Sequence, residues 1–83
     1  MKITAIVEKG RDGLYSIYSD ALIGRDYLGG FGDSVDVAKG DFMESIKEAV
    51  ESAKSDGFDN VPTMEEISVE FKFDKKETEC GKF

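Results

Sequence analysis

SVDVAKGDFMESIKEAVESAKSDG, residues 34–57, is the stretch that decides the fold. Val35, Ala38, Phe42, Ile46, Ala49 and Ala53 recur at steps of three and four, which draws one apolar stripe down an α-helix. Met43 and Val50 widen the stripe, while Asp41, Glu44, Lys47, Glu48, Glu51 and Lys54 occupy the opposite side. Ser34 suits the N-cap, because its hydroxyl accepts a bond from an orphan amide of the first turn. Asp36 brings negative charge to the positive end of the macrodipole. Gly57 supplies the positive φ that commonly ends a helix. Gly40, inside the helix, costs about 1 kcal/mol relative to Ala. Either it lets the helix approach a neighbouring layer closely, or it is simply tolerated.

A helix with a single apolar stripe needs a second layer, and the flanking sequence supplies strands. In residues 2–9, Ile3, Ala5 and Val7 alternate with Lys2, Thr4 and Glu8, and Ile6 is an apolar exception on the second face. Gly10-Arg11-Asp12-Gly13 has the composition of a hairpin loop. Residues 14–19 read as the partner strand, with Tyr15 and Ile17 on one face and Leu14, Ser16 and Tyr18 on the other. The signal weakens over 20–32, where residues 27–31 form a third strand bent or bulged by Gly29 and Gly30. After the helix, residues 58–66 contain Pro62 and read as a connection. Ile67, Val69, Phe71 and Phe73 then alternate with Ser68, Glu70 and Lys72, the pattern of a strand with one buried face.

The expectation is therefore an α+β domain of order β-β-β-α-β. It has a three-stranded antiparallel sheet plus a fourth strand, with the one helix packed on one sheet face. Residues 1–74 make the domain, and residues 75–83 make a charged, disordered tail. Ile6, Leu14 and Tyr18 fall on the sheet face that one helix leaves uncovered. Apolar residues there mark either a dimer or partner surface, or the scattered apolar residues normal on any surface.

Eighteen Asp/Glu against eleven Lys/Arg give a net charge of −7. Such a surface repels phosphate backbones, which argues against nucleic-acid binding by this chain. It suits a basic protein partner, or it serves solubility alone. No apolar run is long enough to cross a membrane, and residues 1–10 lack the apolar core of a signal peptide. With one unpaired cysteine, Cys80, this points to the cytoplasm.

Chemistry is sparse. The chain has no histidine, so neither a serine nor Cys80 has the usual base beside it. One cysteine and no histidine leave no zinc spacing and imply no cofactor. Asp12, Asp20, Asp26 and Asp33 lie in predicted loops. A metal-dependent nuclease using Asp20, Asp26 or Asp33 is one reading, and turn formation is the other. The glycine run 24–32 before the helix lacks the GxxxxGK[ST] pattern of a phosphate loop.

Ile3-Thr4-Ala5-Ile6-Val7-Glu8-Lys9, then Gly10-Arg11-Asp12-Gly13, then Tyr15-Ser16-Ile17-Tyr18, resembles the opening of HicB-like antitoxins. Phe31-Gly32-Asp33-Ser34-Val35-Asp36-Val37-Ala38 is similar to the stretch that starts their helix. The resemblance covers residues 1 to about 74 and implies a partial RNase H-like β-β-β-α-β domain. It implies a non-catalytic, self-associating protein that neutralises a basic HicA-like mRNA-cleaving toxin by covering the toxin's active site. RNase H chemistry needs a carboxylate in the first strand, and residues 2–7 have none, so no enzymatic activity is implied. Ala21-Leu22-Ile23-Gly24-Arg25 stands where members usually carry a Pro-Gly-Cys-like turn. Many members continue into a DNA-binding domain, to which the resemblance does not extend. The candidate contact residues are Tyr18 on the exposed sheet face, Tyr27 and Phe31 in the glycine-rich loop, and Glu44, Glu48 and Glu51 on the acidic helix side. A stand-alone dimerisation domain is the alternative without a toxin.

Overall fold

A computed structural model describes residues 1–73. The tail expected over 75–83, with Cys80, lies outside the described residues. The elements run β1 (Lys2–Lys9), β2 (Tyr15–Ile23), β3 (Asp26–Gly32), α1 (Val35–Ser55), a 3-10 turn at Met64–Glu66, and β4 (Ser68–Phe73). The four strands form one sheet of order β3-β2-β1-β4, with α1 against one face. The α+β architecture and the β-β-β-α-β order are those read from the sequence. β1, β2 and β3 pair antiparallel, whereas β4 pairs parallel to β1. The crossover carrying α1 makes that direction possible, since parallel neighbours need a long connection.

The hairpin loop after β1 closes through Gly10 N–H to Leu14 O at 2.7 Å and Leu14 N–H to Asp12 Oδ1 at 3.0 Å, with Gly13 at φ +83°. β2 then runs four residues beyond its expected end. Its alternation continues through Ser19, Ala21 and Ile23 facing inward and Tyr18, Asp20 and Leu22 facing outward. The pairs Tyr18↔Gly29 and Leu22↔Tyr27 show that β2 spends four residues where β3 spends two. Two extra residues preserve the faces, since side chains alternate with period two. A two-residue turn, Gly24-Arg25, with Gly24 at φ +62°, leads into β3.

The helix is as the stripe predicts. Ala38, Phe42, Ile46, Ala49, Val50 and Ala53 are buried, while Met43 stays exposed. Val37 N–H donates to Ser34 Oγ at 3.2 Å. At the other end, Gly57 N–H donates to Lys54 O and Phe58 N–H to Ala53 O around Gly57 at φ +81°. That pair of bonds is a Schellman close. The core joins these helix residues to Ile3, Ala5, Val7, Ile17, Ile23 and Leu28.

Close approach of helix to sheet comes from the strand side, not from Gly40. A Cβ on Gly30 would lie 2.5 Å from Ala38 O and from Phe42 N, and one on Gly32 would lie 2.8 Å from Ala38 N. These two glycines let the helix backbone lie directly on β3. Around Gly40 a Cβ meets nothing within 4 Å, and the residue is exposed. Gly40→Ala is therefore expected to stabilise the domain by about 1 kcal/mol, read as a higher urea midpoint with unchanged slope.

β4 departs from the one-buried-face expectation. Val69 and Phe71 are half-buried, Ile67 precedes the strand, and Phe73 is 61% exposed. α1 lies over β3 and β2, so cover thins toward the β4 edge. Phe71 keeps an edge-on contact with Phe42, ring centroids 5.8 Å apart, under the Lys39 ammonium at 4.9 Å. The connection before β4 holds the unforeseen 3-10 turn, in which Thr63 N–H and Oγ1 donate to Glu66 Oε1. The Thr63 backbone bond and then its hydroxyl hold the Glu66 carboxyl below its usual range. A lowered carboxyl pKa adds stability present at neutral pH and lost as pH falls through the folded value. Glu66 is exposed, so the effect is local to the turn.

Candidate functional site

Strand alternation and register gather the outward side chains of β1, β2 and β3 into one surface. Ile6 lies opposite Tyr18, Tyr18 opposite Gly29, Ser16 opposite Phe31, and Leu22 opposite Tyr27. Paired residues share a face, so these form neighbouring rows. Tyr27 is 77% exposed, Phe31 54%, Leu22 46% and Tyr18 44%. Gly29 carries no side chain, and leaves a flat floor beside the Tyr18 ring. Four of the domain's exposed large apolar side chains, three of them aromatic, thus fall on this one sheet face.

The same face also carries charge. Glu8 and Asp20 project from β1 and β2 on the same side as Tyr18, by the same alternation. On β4, Glu70 lies 3.5 Å from Lys2 Nζ and 3.4 Å from Lys72 Nζ. The Lys72 hydrogen bond and the Lys2 charge hold the Glu70 carboxyl below its usual range. All three groups are well exposed, and such surface pairs add little stability.

β1 and β2 pair only from Ile6↔Tyr18 to Lys9↔Tyr15. Below that point they splay, and a cleft of roughly 220 Å³ opens between Lys2, Thr4 and Ile6 on one side and Tyr18, Asp20 and Ala21 on the other. The cleft runs into the aromatic patch at Tyr18.

The helix closes the β3 edge of the same sheet. Ser45 Oγ accepts from Gly29 N–H at 3.2 Å and donates to Phe42 O at 2.7 Å. Asp41 Oδ2 accepts from Phe31 N–H at 3.0 Å. Edge amides that would otherwise template another strand are thus occupied, and the backbone carrying Phe31 is fixed.

The six residues singled out in the sequence do not form one site. Tyr18, Tyr27 and Phe31 come together on the outer sheet face, the last two within β3 rather than in a loop. Glu44, Glu48 and Glu51 are exposed on the helix, turned away from its buried stripe, and so stand on the opposite side of the domain. The sequence reading missed Leu22, Asp41 and Ser45. Leu22 was legible as the next outward step after Tyr18 and Asp20. The edge-capping roles of Asp41 and Ser45 carry no sequence signal distinct from that of a solvated helix face.

The nuclease reading requires converging carboxylates. Asp26 and Asp33 stand at the start and just past the end of β3, about 23 Å apart at ~3.3 Å per strand residue. Among the described residues no three acidic, cysteine or histidine side chains gather to hold a metal ion. No helix among them is long and apolar enough to cross a membrane. No known protein family matches the chain, and neither a characterised protein nor a solved structure shows significant similarity to it.

Proposed function

We propose that this chain is a non-catalytic protein-binding module that acts in the cytoplasm as a HicB-like antitoxin, docking a basic HicA-like mRNA-cleaving toxin and covering its active site. The observation that carries the reading is the outer sheet face, where Tyr18, Leu22, Tyr27 and Phe31 are bared beside the carboxylates of Glu8 and Asp20. Tyrosine and phenylalanine are favoured interface anchors, since they bury large areas at small entropic cost. The net charge of −7 draws a basic partner and speeds encounter. The resemblance over residues 1 to about 74 supplies the identity of that partner. Glu44, Glu48 and Glu51, on the far side, are proposed to contribute to long-range attraction rather than direct contact.

The test is co-purification of the chain with any basic protein encoded beside it, combined with single substitutions. Phe31→Asp and Tyr27→Asp are expected to weaken the complex roughly 30-fold or more, the effect of losing an interface anchor. Both side chains are exposed, so the free domain should keep its circular dichroism spectrum. The neighbouring protein's ribonuclease activity should be silenced by the wild type and restored with either variant. Absence of any complex with that neighbour defeats the antitoxin reading.

A further inference from the structure

The two edges of the sheet are built differently. At the β3 edge, α1 side chains occupy the outward amides of Gly29 and Phe31. At the other edge β4 is the terminal strand, with no described strand beside it. Ser68 N–H donates to Met1 O at 2.9 Å, so the backbone polar groups of Ser68 turn toward β1. By alternation those of Glu70 and Lys72 do the same, which turns the N–H and C=O groups of Val69, Phe71 and Phe73 to the open side.

We infer that β4 is a self-pairing edge: a second copy of this chain adds its own β4 antiparallel, with Phe71 opposite Phe71, to make one continuous eight-stranded sheet. The sequence of the strand is self-complementary in that register. Phe71 pairs with itself, and Val69 pairs with the partner's Phe73. These are the positions whose backbone groups face outward, so both N–H···O bonds of each pair form. Glu70 then stands opposite the partner's Lys72, and Lys72 opposite the partner's Glu70. They meet at the non-hydrogen-bonded pairs, where side chains approach most closely. The neighbouring in-phase registers put Glu70 against Glu70 or Lys72 against Lys72, so charge selects the register.

The pairing also covers what α1 leaves bare. By the β1–β4 register, Val69, Phe71 and Phe73 share the face of Ile3, Ala5 and Val7, on the helix side. Phe73, 61% exposed, gains the partner's Val69 as its neighbour there. The outer face around Tyr27 stays open in both copies. Self-association as such is also what the resemblance implies; the β4 edge and its register rest on the strand alone, and this pairing and toxin binding can each fail without the other.

The test is sedimentation equilibrium of the full chain at physiological ionic strength, where repulsion between two chains of charge −7 is largely screened. The wild type is expected to sediment at twice its 9.2 kDa chain mass at submillimolar concentration. Glu70→Lys or Lys72→Glu alone should weaken the dimer about tenfold, because each turns two symmetry-related opposite-charge pairs into like-charge pairs. The double variant Glu70→Lys with Lys72→Glu restores complementarity and should recover the wild-type affinity. In the wild type, amide exchange at Val69, Phe71 and Phe73 should slow as concentration rises. A monomeric wild type overturns the inference. So does a dimer indifferent to the single reversals, or a natively folded double variant that fails to recover.

Discussion

Gly30→Val is expected to leave the chain unfolded without denaturant, with its helical circular dichroism lost. The reason is contact with backbone, which does not yield as a flexible side chain does. A Cβ at Gly30 sits 2.5 Å from both Ala38 O and Phe42 N and 2.7 Å from Phe42 Cβ, all on the helix turns that cross β3. Real Cβ atoms do not approach that closely, so the helix must lift away from the sheet. Lifting it opens the core cluster that Ala38 and Phe42, both fully buried, share with Ile17 and Leu28. Overpacking alone costs roughly 1–3 kcal/mol, and loss of the helix–sheet contact adds to it. A domain of this length holds only about 4–12 kcal/mol in total, at ~0.05–0.15 kcal/mol per residue. Gly30→Ala adds the same Cβ without the γ-methyls and should cost about 3 kcal/mol in urea unfolding, the upper end of the overpacking range.

Phe42→Ala is the second large effect, expected to cost about 3–5 kcal/mol. Phe42 heads the largest fully buried side chains. It sits over Gly30, packs edge-on against Phe71, and so ties the helix to both ends of the sheet. Its removal leaves a cavity that the surrounding strands, fixed by their ladders, cannot collapse to fill. The check is urea denaturation with an unchanged slope and a lower midpoint. Phe42→Leu should recover part of the loss, since it refills much of the volume.

Much of the fold was legible because local chemistry and tertiary packing agree. The helix announced itself through the stripe from Ala38 to Ala53, Ser34 at its cap and Gly57 at its close, and each performs the role its residue type favours. The first strand was equally plain in Ile3, Ala5 and Val7. The end of β2 was obscured because Asp20 and Ala21 are weak strand formers, and because the two-residue excess over β3 exists only in the pairing. Gly30 read as a bend former, since sequence alone does not separate a glycine that kinks a strand from one that admits a helix backbone. Phe73 followed the alternation faithfully yet stays exposed. Alternation assigns a face but not the reach of the helix across it.

The candidate site was half legible for the same reason. Tyr18, Tyr27 and Phe31 could be named as outward aromatics, but their union into one patch depends on the register that sets Gly29 beside Tyr18. The acidic helix side was visible as a charge pattern, and only the layer order shows it to lie on the opposite side. The parallel pairing of β4 beside β1 completes the outer face with Lys2, Glu70 and Lys72. That pairing depends on the crossover, which no local pattern encodes.

The most direct test of the outer face as the binding surface is a nuclear magnetic resonance titration. The isotope-labelled chain is titrated with the proposed partner, a basic HicA-like protein, and amide shifts are mapped by residue. The largest perturbations are expected on Tyr18, Leu22, Tyr27 and Phe31 and their strand neighbours, with Glu44, Glu48 and Glu51 nearly unmoved. Perturbations centred on the outward side of α1, with the outer sheet face unchanged, would contradict this expectation.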